Sequence, residues 1–189
     1  PPERIPVESL GEDELIRRAL AEREERSRKE KFQLQSRDPQ KPWTDYTITS
    51  AASGKSYRVA LRGRERGISY CSCPDFRTNT LGTCKHIMYA LRRVSAKFPE
   101  SVLRRPYRRR NLSVHLTSGD RLALRLGIPD KLDKQAERII KPLASLDIDD
   151  VHDLVGRLTK LEHLGQKVTI YPDAEEFIQR RLFQGRIQS

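Results

Sequence analysis

Four residues near the middle of the chain have the types and spacing of a metal site. Cys71 and Cys73 are separated by one residue, Cys84 and His86 likewise, with ten residues between the pairs. Thiolate and imidazole are donors that zinc prefers, and three Cys with one His make a closed tetrahedral set. The chemistry expected is structural: one Zn2+ that staples a loop. At a strand end, residues two apart point the same way, so Cys71 and Cys73 can face one ion. At a helix start the exposed amides favour a thiolate, which suits Cys84 with His86 in the first turn. Pro74, Asp75, Asn79, Gly82 and Thr83 let the loop fold back. Structural zinc sites contribute about 10–16 kcal/mol of apparent binding free energy. That is far more than the small apolar cluster around this loop supplies.

Other uses of these residues explain less. Three free buried cysteines leave their coincidence with a His unexplained. A Cys71–Cys73 disulfide needs strained geometry and strands Cys84. Redox pairs have two intervening residues, not one. A catalytic zinc keeps a water in its fourth position, which four protein ligands fill. An odd count of three cysteines, all within fourteen residues, also argues against a disulfide framework and for a reducing, cytoplasmic location.

The elements that must position this site can be read from periodicity. Ser9 with Glu12 forms a capping box, opening a helix with a short stripe of Leu15, Ile16, Ala19 and Leu20. From Glu22 to Lys31 the chain is almost purely charged, with Glu22–Arg26, Glu24–Arg28 and Glu25–Lys29 four apart, as in a solvated helix. Phe32 and Leu34 are expected to pack its far end. Strand-like alternation follows at 44–49 (Tyr46, Ile48), at Tyr57, Val59 and Leu61, and at Ile68 and Tyr70. Ile87, Met88, Leu91, Val94 and Phe98 then share a helical face. Further on, Val114 and Leu116 with Leu122, Leu124 and Leu126 read as a hairpin around Ser118 and Gly119. Helical spacing covers Leu132 to Leu143 and Val151 to Leu164, stopped by Gly165. A short strand at 167–171 precedes a helix capped by Asp173 with Glu176.

The segment Cys71-Ser72-Cys73-Pro74-Asp75-Phe76 and the later Cys84-Lys85-His86-Ile87, with strands before and a helix after, resemble the SWIM zinc finger. The likeness spans about residues 44–98 and implies Cys71, Cys73, Cys84 and His86 as ligands. SWIM fingers occur in bacterial Swi/Snf-type ATPases, Mu-type transposases and ubiquitin-pathway proteins, and the family implies binding to DNA or to protein partners. Tyr171-Pro172-Asp173-Ala174-Glu175-Glu176-Phe177 is similar to the region ahead of the motor in bacterial Swi/Snf-type helicases, a less specific likeness.

No motor is visible in this chain. Gly54-Lys55-Ser56 ends like a phosphate-binding loop, but the earlier Gly falls at Thr49, and a hairpin turn explains it. Asp149-Asp150 resembles an acidic helicase box, yet no apolar strand precedes it and a helix N-terminus accounts for both acids. No catalytic site is expected; ATP chemistry, if any, lies in a longer parent. With no Met at position 1 and an end just after a helix, the expectation is a piece of a longer chain.

Charge points to a polyanion. Among 189 residues, 37 Lys and Arg outnumber 26 Asp and Glu, for a net +11 and a pI near 9.9. A mean hydropathy of −0.72 is polar for a globular chain, and no run approaches a membrane span or a signal peptide. The densest positive patch is Arg104, Arg105, Arg108, Arg109 and Arg110, around Tyr107. Arginine's planar fork suits phosphate, and Tyr107 offers a ring for stacking. Lys85, Arg92, Arg93 and Lys97 on the finger helix, and Arg58, Arg62, Arg64 and Arg66 on the meander, extend the patch. No base-reading set is present, so backbone contacts with strong salt dependence are expected. A solvated basic linker is the plain alternative. His115, His152 and His163 lack partners at metal spacing.

The fold expected is α+β. It comprises an N-terminal charged helix (1–43), a zinc-stapled β-meander and helix (44–100), a basic connector with a hairpin (101–128) and a helical C-terminal unit (129–189). The function expected is a DNA-engaging accessory region of a bacterial Swi/Snf-type ATPase. The alternatives are a protein-docking module and an autoinhibitory region that acts on its own motor.

Overall fold

The computed structural model describes residues 11–107, 111–118 and 121–187 of the chain. It is α+β and divides into two compact units, Pro1–Arg104 and Arg105–Ser189.

In the first unit, helix α1 (Glu12–Lys29) follows Gly11, with Glu12, Asp13 and Glu14 in its first turn and Arg26, Arg28 and Lys29 in its last. Both sets complement the helix dipole. The expected cap Ser9 lies outside the described residues. The helix stops at Lys29, so Phe32 and Leu34, expected to pack its far end, lie outside it. Their alternation with Gln33 and Gln35 has a period of two, and the segment forms strand β1 (Phe32–Ser36).

Strands β2 (Asp45–Ser50), β3 (Ser56–Ala60) and β4 (Tyr70–Cys71) complete an antiparallel sheet of order β1-β2-β3-β4. The register sets Leu34 opposite Ile48 and Ile48 opposite Tyr57, so the apolar residues share one face. The other face carries exposed Gln33, Gln35, Thr47 and Arg58. Two short helices lie outside the expected set: α2 (Pro74–Thr78), within the loop between the cysteine pairs, and α4 (Glu100–Leu103). Between them α3 (Lys85–Lys97) buries His86, Ile87, Ala90 and Val94. The Phe32 ring meets both His86 and Tyr89 of α3 edge-on. Buried Trp43 donates from Nε1 to the Leu103 carbonyl at 3.2 Å, tying α4 back to the 37–44 segment. Gly54 at φ +70° takes the β2–β3 turn, so Gly54-Lys55-Ser56 is a hairpin turn with no helix after it.

The second unit pairs β5 (Leu112–Ser118) antiparallel with β6 (Leu122–Gly127) and parallel with β7 (Val168–Ile170), in the order β6-β5-β7. The expected turn residue Gly119 lies outside the described residues. Gly127 faces Ser113 in the register, and a Cβ built there falls 2.3 Å from Ser113 Oγ. Helices α5 (Lys134–Ile140, extended by a 3-10 turn Lys141–Leu143), α6 (Val151–His163) and α7 (Pro172–Ile187) follow. Asp133 caps α5, and Asp150 caps α6 by accepting from the Asp153 amide at 3.0 Å, while Asp149 beside it pairs with Arg121 at 3.0 Å. Gly165, at φ +75°, ends α6. Helix α7 opens at Pro172, one residue before the expected cap Asp173, whose Oδ1 accepts from the Ala174 amide at 2.9 Å. The core is apolar: Val114, Leu124, Ile148, Val151, Leu154, Ala174 and Ile178 form one cluster, Leu112, Ala136, Ile140 and Leu161 another.

Candidate metal centre

The loop between β3 and α3 is too rich in turns to have a core of its own, and the fold compensates by anchoring its three cysteines, and His86 just beyond it, on or at the ends of regular elements. Cys71 ends β4, paired opposite Val59. Pairing continues one residue further: Ser72 donates its amide to the Arg58 carbonyl at 3.0 Å, and its Oγ accepts the Arg58 amide at 2.9 Å. Cys73 then caps α2, with Pro74 as the first helical residue and Cys73 Sγ accepting the Phe76 amide at 3.3 Å. Between the pairs, Asn79 accepts from the Leu81 amide at 2.9 Å and donates to the Thr83 carbonyl at 3.0 Å. Gly67 donates to the Gly82 carbonyl at 3.1 Å. Cys84 stands at the N-cap of α3 and His86 in its first turn.

These anchors bring four donor atoms within 4.8 Å of one another, from four buried residues. His86 Nδ1 is 3.8 Å from both Cys71 Sγ and Cys84 Sγ. A tetrahedral ion with bonds of about 2.3 Å to sulfur and 2.0–2.1 Å to nitrogen sets its ligand atoms roughly 3.5–3.8 Å apart. The cluster fits one metal ion. Around it, the rings of Phe32 and Tyr57 lie 5.3 and 5.0 Å from the His86 ring and exclude water.

The three thiols shift one another's acidity. Hydrogen bonds from the other two thiols and the Phe76 amide hold Cys73 as the thiolate, well below the usual thiol range. Cys71, which donates to its neighbours and is buried, is pushed far up; burial and the Cys73 charge push Cys84 up. Three thiolates cannot coexist in this dry space without a positive ion among them.

Sequence reasoning missed what holds this loop from outside. Arg23 of α1 forms a two-pronged pair with Asp75, Nε to Oδ2 at 2.9 Å and Nη2 to Oδ1 at 2.8 Å. It keeps the Asp75 carboxyl below its ordinary range, against the opposing effect of burial. The partners lie 52 positions apart, so nothing in either segment signals the pairing.

The basic residues are distributed unevenly. Lys85 reaches Glu30 at 2.8 Å, and Arg92 donates to the Ser27 carbonyl at 2.8 Å, to Ser27 Oγ at 3.1 Å and to Glu24 at 3.5 Å. Arg93 and Arg105 are exposed, and Arg104 is an exposed partner of Glu100. Tyr107 is half-buried, its hydroxyl 3.0 Å from that of Tyr171. Arg108, Arg109 and Arg110 lie outside the described residues. On the meander, Arg64 pairs with Glu100 and Arg58 with Asp45, and Arg66 is exposed. Arg62 is only 2% exposed and donates to the Ile68 carbonyl at 3.0 Å, so it belongs to the interior and not to a cationic surface. His115 is buried, and His152 and His163 are exposed; among the described residues none joins a metal-type cluster.

The fold and site thus define an α+β protein with a buried Cys3His cluster able to hold a single metal ion. Comparison with protein-family models, with curated proteins and with solved structures gives no match for the chain. No helix among the described residues is long and apolar enough to cross a membrane.

Proposed function

We propose that the ion is zinc, that residues 44–98 are a SWIM-type finger, and that the chain is a DNA-engaging accessory region of a Swi/Snf-type ATPase rather than an enzyme in itself. The observation that supports this reading most is the convergence of Cys71, Cys73, Cys84 and His86 on one point, in the order and on the elements such a finger requires. Closed thiolate-rich tetrahedral sites suit Zn2+, which here has a structural task. The net charge of +11 and the exposed Arg93, Arg104 and Arg105 favour a phosphate backbone as partner.

Metal analysis of the purified chain tests the first part: one zinc per chain is expected, lost in Cys84→Ser. Fluorescence anisotropy against short duplex and single-stranded DNA tests the second. Binding should weaken steeply as salt rises, and absence of binding at low salt would remove DNA as the partner. A protein-docking reading draws on one feature. A cavity of about 350 Å³ has Leu34, Val94 and Phe98 among its lining and Arg93 and Lys97 beside them, which suits an acidic peptide with an apolar anchor.

A further inference from the structure

Helix α1 meets the finger through a row of charged and polar contacts, with no apolar residue fully buried. Its only buried residue is Ser27, and Leu15, Ile16, Ala19 and Leu20 are half-buried or exposed. From its middle to its end, the side turned to the finger carries Arg23, Glu24, Ser27 and Glu30. These reach Asp75 in the metal loop, then Arg92 and Lys85 on α3. Lys85 and Arg92 lie seven residues apart, two turns, and with Tyr89 between them form one strip of the α3 surface. Arg92 also lies over the Tyr89 ring at 5.8 Å.

We propose that α1 is a removable cover on a polyanion-binding strip of α3, with Glu24 and the C-cap residue Glu30 occupying the places of phosphate groups. The proposal rests on the nucleic-acid reading above and names how that surface is regulated. Each link is a partly exposed ion pair or a hydrogen bond from a cation, the class of contact that salt and competing anions weaken most. A phosphate backbone offers Lys85 and Arg92 a denser row of charge than two carboxylates do. Release does not require α1 to unfold at once. Away from these contacts it carries its own ion pairs four apart, Glu14–Arg18 and Glu25–Lys29. Freed from the finger, an 18-residue helix of this polarity frays in water and its amides exchange faster.

The test uses the zinc-loaded full chain and short duplex DNA. Hydrogen exchange across Glu12–Lys29 should rise on saturation with the duplex. Glu24→Gln/Glu30→Gln should bind the duplex about fivefold more tightly than Glu22→Gln/Glu25→Gln. The second pair makes the same change in net charge at exposed positions of the helix. Equal affinity of the two double variants, with α1 exchange unchanged on DNA addition, overturns the cover and leaves DNA binding standing. No binding by wild type or by either variant overturns both readings.

Discussion

The two units fix their chains by different means. Between Ala60 and Lys85 the first unit has only the two-residue strand β4 and the five-residue helix α2, and this stretch supplies three of its four metal donors. The second unit brings no such cluster together among the described residues and relies on branched aliphatic side chains from β5, β6, α6 and α7. Apolar burial yields roughly 25 cal/mol per Å², so it needs many side chains and continuous elements to present them. A metal ion concentrates a comparable free energy at one point and can fix a loop that has neither. The penalty is conditionality, since a loop fixed in this way depends on its ligand and an apolar core does not.

Removing the metal is therefore the sharpest way to break the comparison. Chelation, or Cys84→Ser, should withdraw about 10 kcal/mol or more of binding free energy from the first unit. Segment-resolved hydrogen exchange should show loss of protection around β4, α2 and the start of α3, while β5 and β6 keep theirs. Equal loss in both units would show that they are one cooperative body.

The converse experiment is a cavity in the second core. Leu154 is fully buried in the cluster with Val114 and Leu124. Leu154→Ala should cost about 2–5 kcal/mol, read as an earlier denaturant midpoint for the second unit with metal content unchanged.

A smaller effect is expected where β5 and β6 approach most closely. Gly127→Ala forces a Cβ against Ser113 Oγ and should cost about 1–3 kcal/mol. The buried Ser113 hydroxyl has no hydrogen-bond partner among the described residues, so Ser113→Ala removes an unsatisfied polar atom. The double variant should recover most of the loss, whereas additivity of the two changes would show the clash to be relieved elsewhere.

The same contrast governs what could be read from the sequence. The Cys3His cluster was legible because metal coordination imposes residue type and spacing directly on a chain. Helix α6 was legible because Val151, Leu154, Leu158 and Leu161 repeat at the helical period and Gly165 ends it. β1 was not. Phe32 and Leu34 directly follow a charged helix, and two apolar residues are too few to separate a period of two from one of 3.6. α2 hid among residues that also make turns, and only the Cys73 cap shows why Pro74 opens a helix there. The docking of α1 was illegible for a deeper reason. Lys85 and Arg92 read as a cationic surface because nothing local shows that Glu30 and Glu24 answer them from more than fifty residues away.

The weakest link tests whether the loop that carries the Cys3His cluster is also held from outside. Asp75 sits in the metal loop, and its pair with Arg23 is partly open to water, with 18% and 35% of the two side chains exposed. Screening limits such a pair to about 0–1 kcal/mol, so Asp75→Asn should barely move the unfolding midpoint. Its sign with pH follows from the lowered carboxyl pKa. The contribution is complete above the unfolded value of about 3.9 and disappears as pH falls through the lower folded value. Near neutral pH the pair is fully charged, and salt is the better lever. At low salt Asp75→Asn should speed amide exchange in α1 relative to wild type, and the difference should shrink as salt rises. A difference that persists at high salt would mean that Asp75 acts by shaping the metal loop, with Arg23 as a bystander. Arg23→Gln, which leaves Asp75 in place, would then fail to reproduce it.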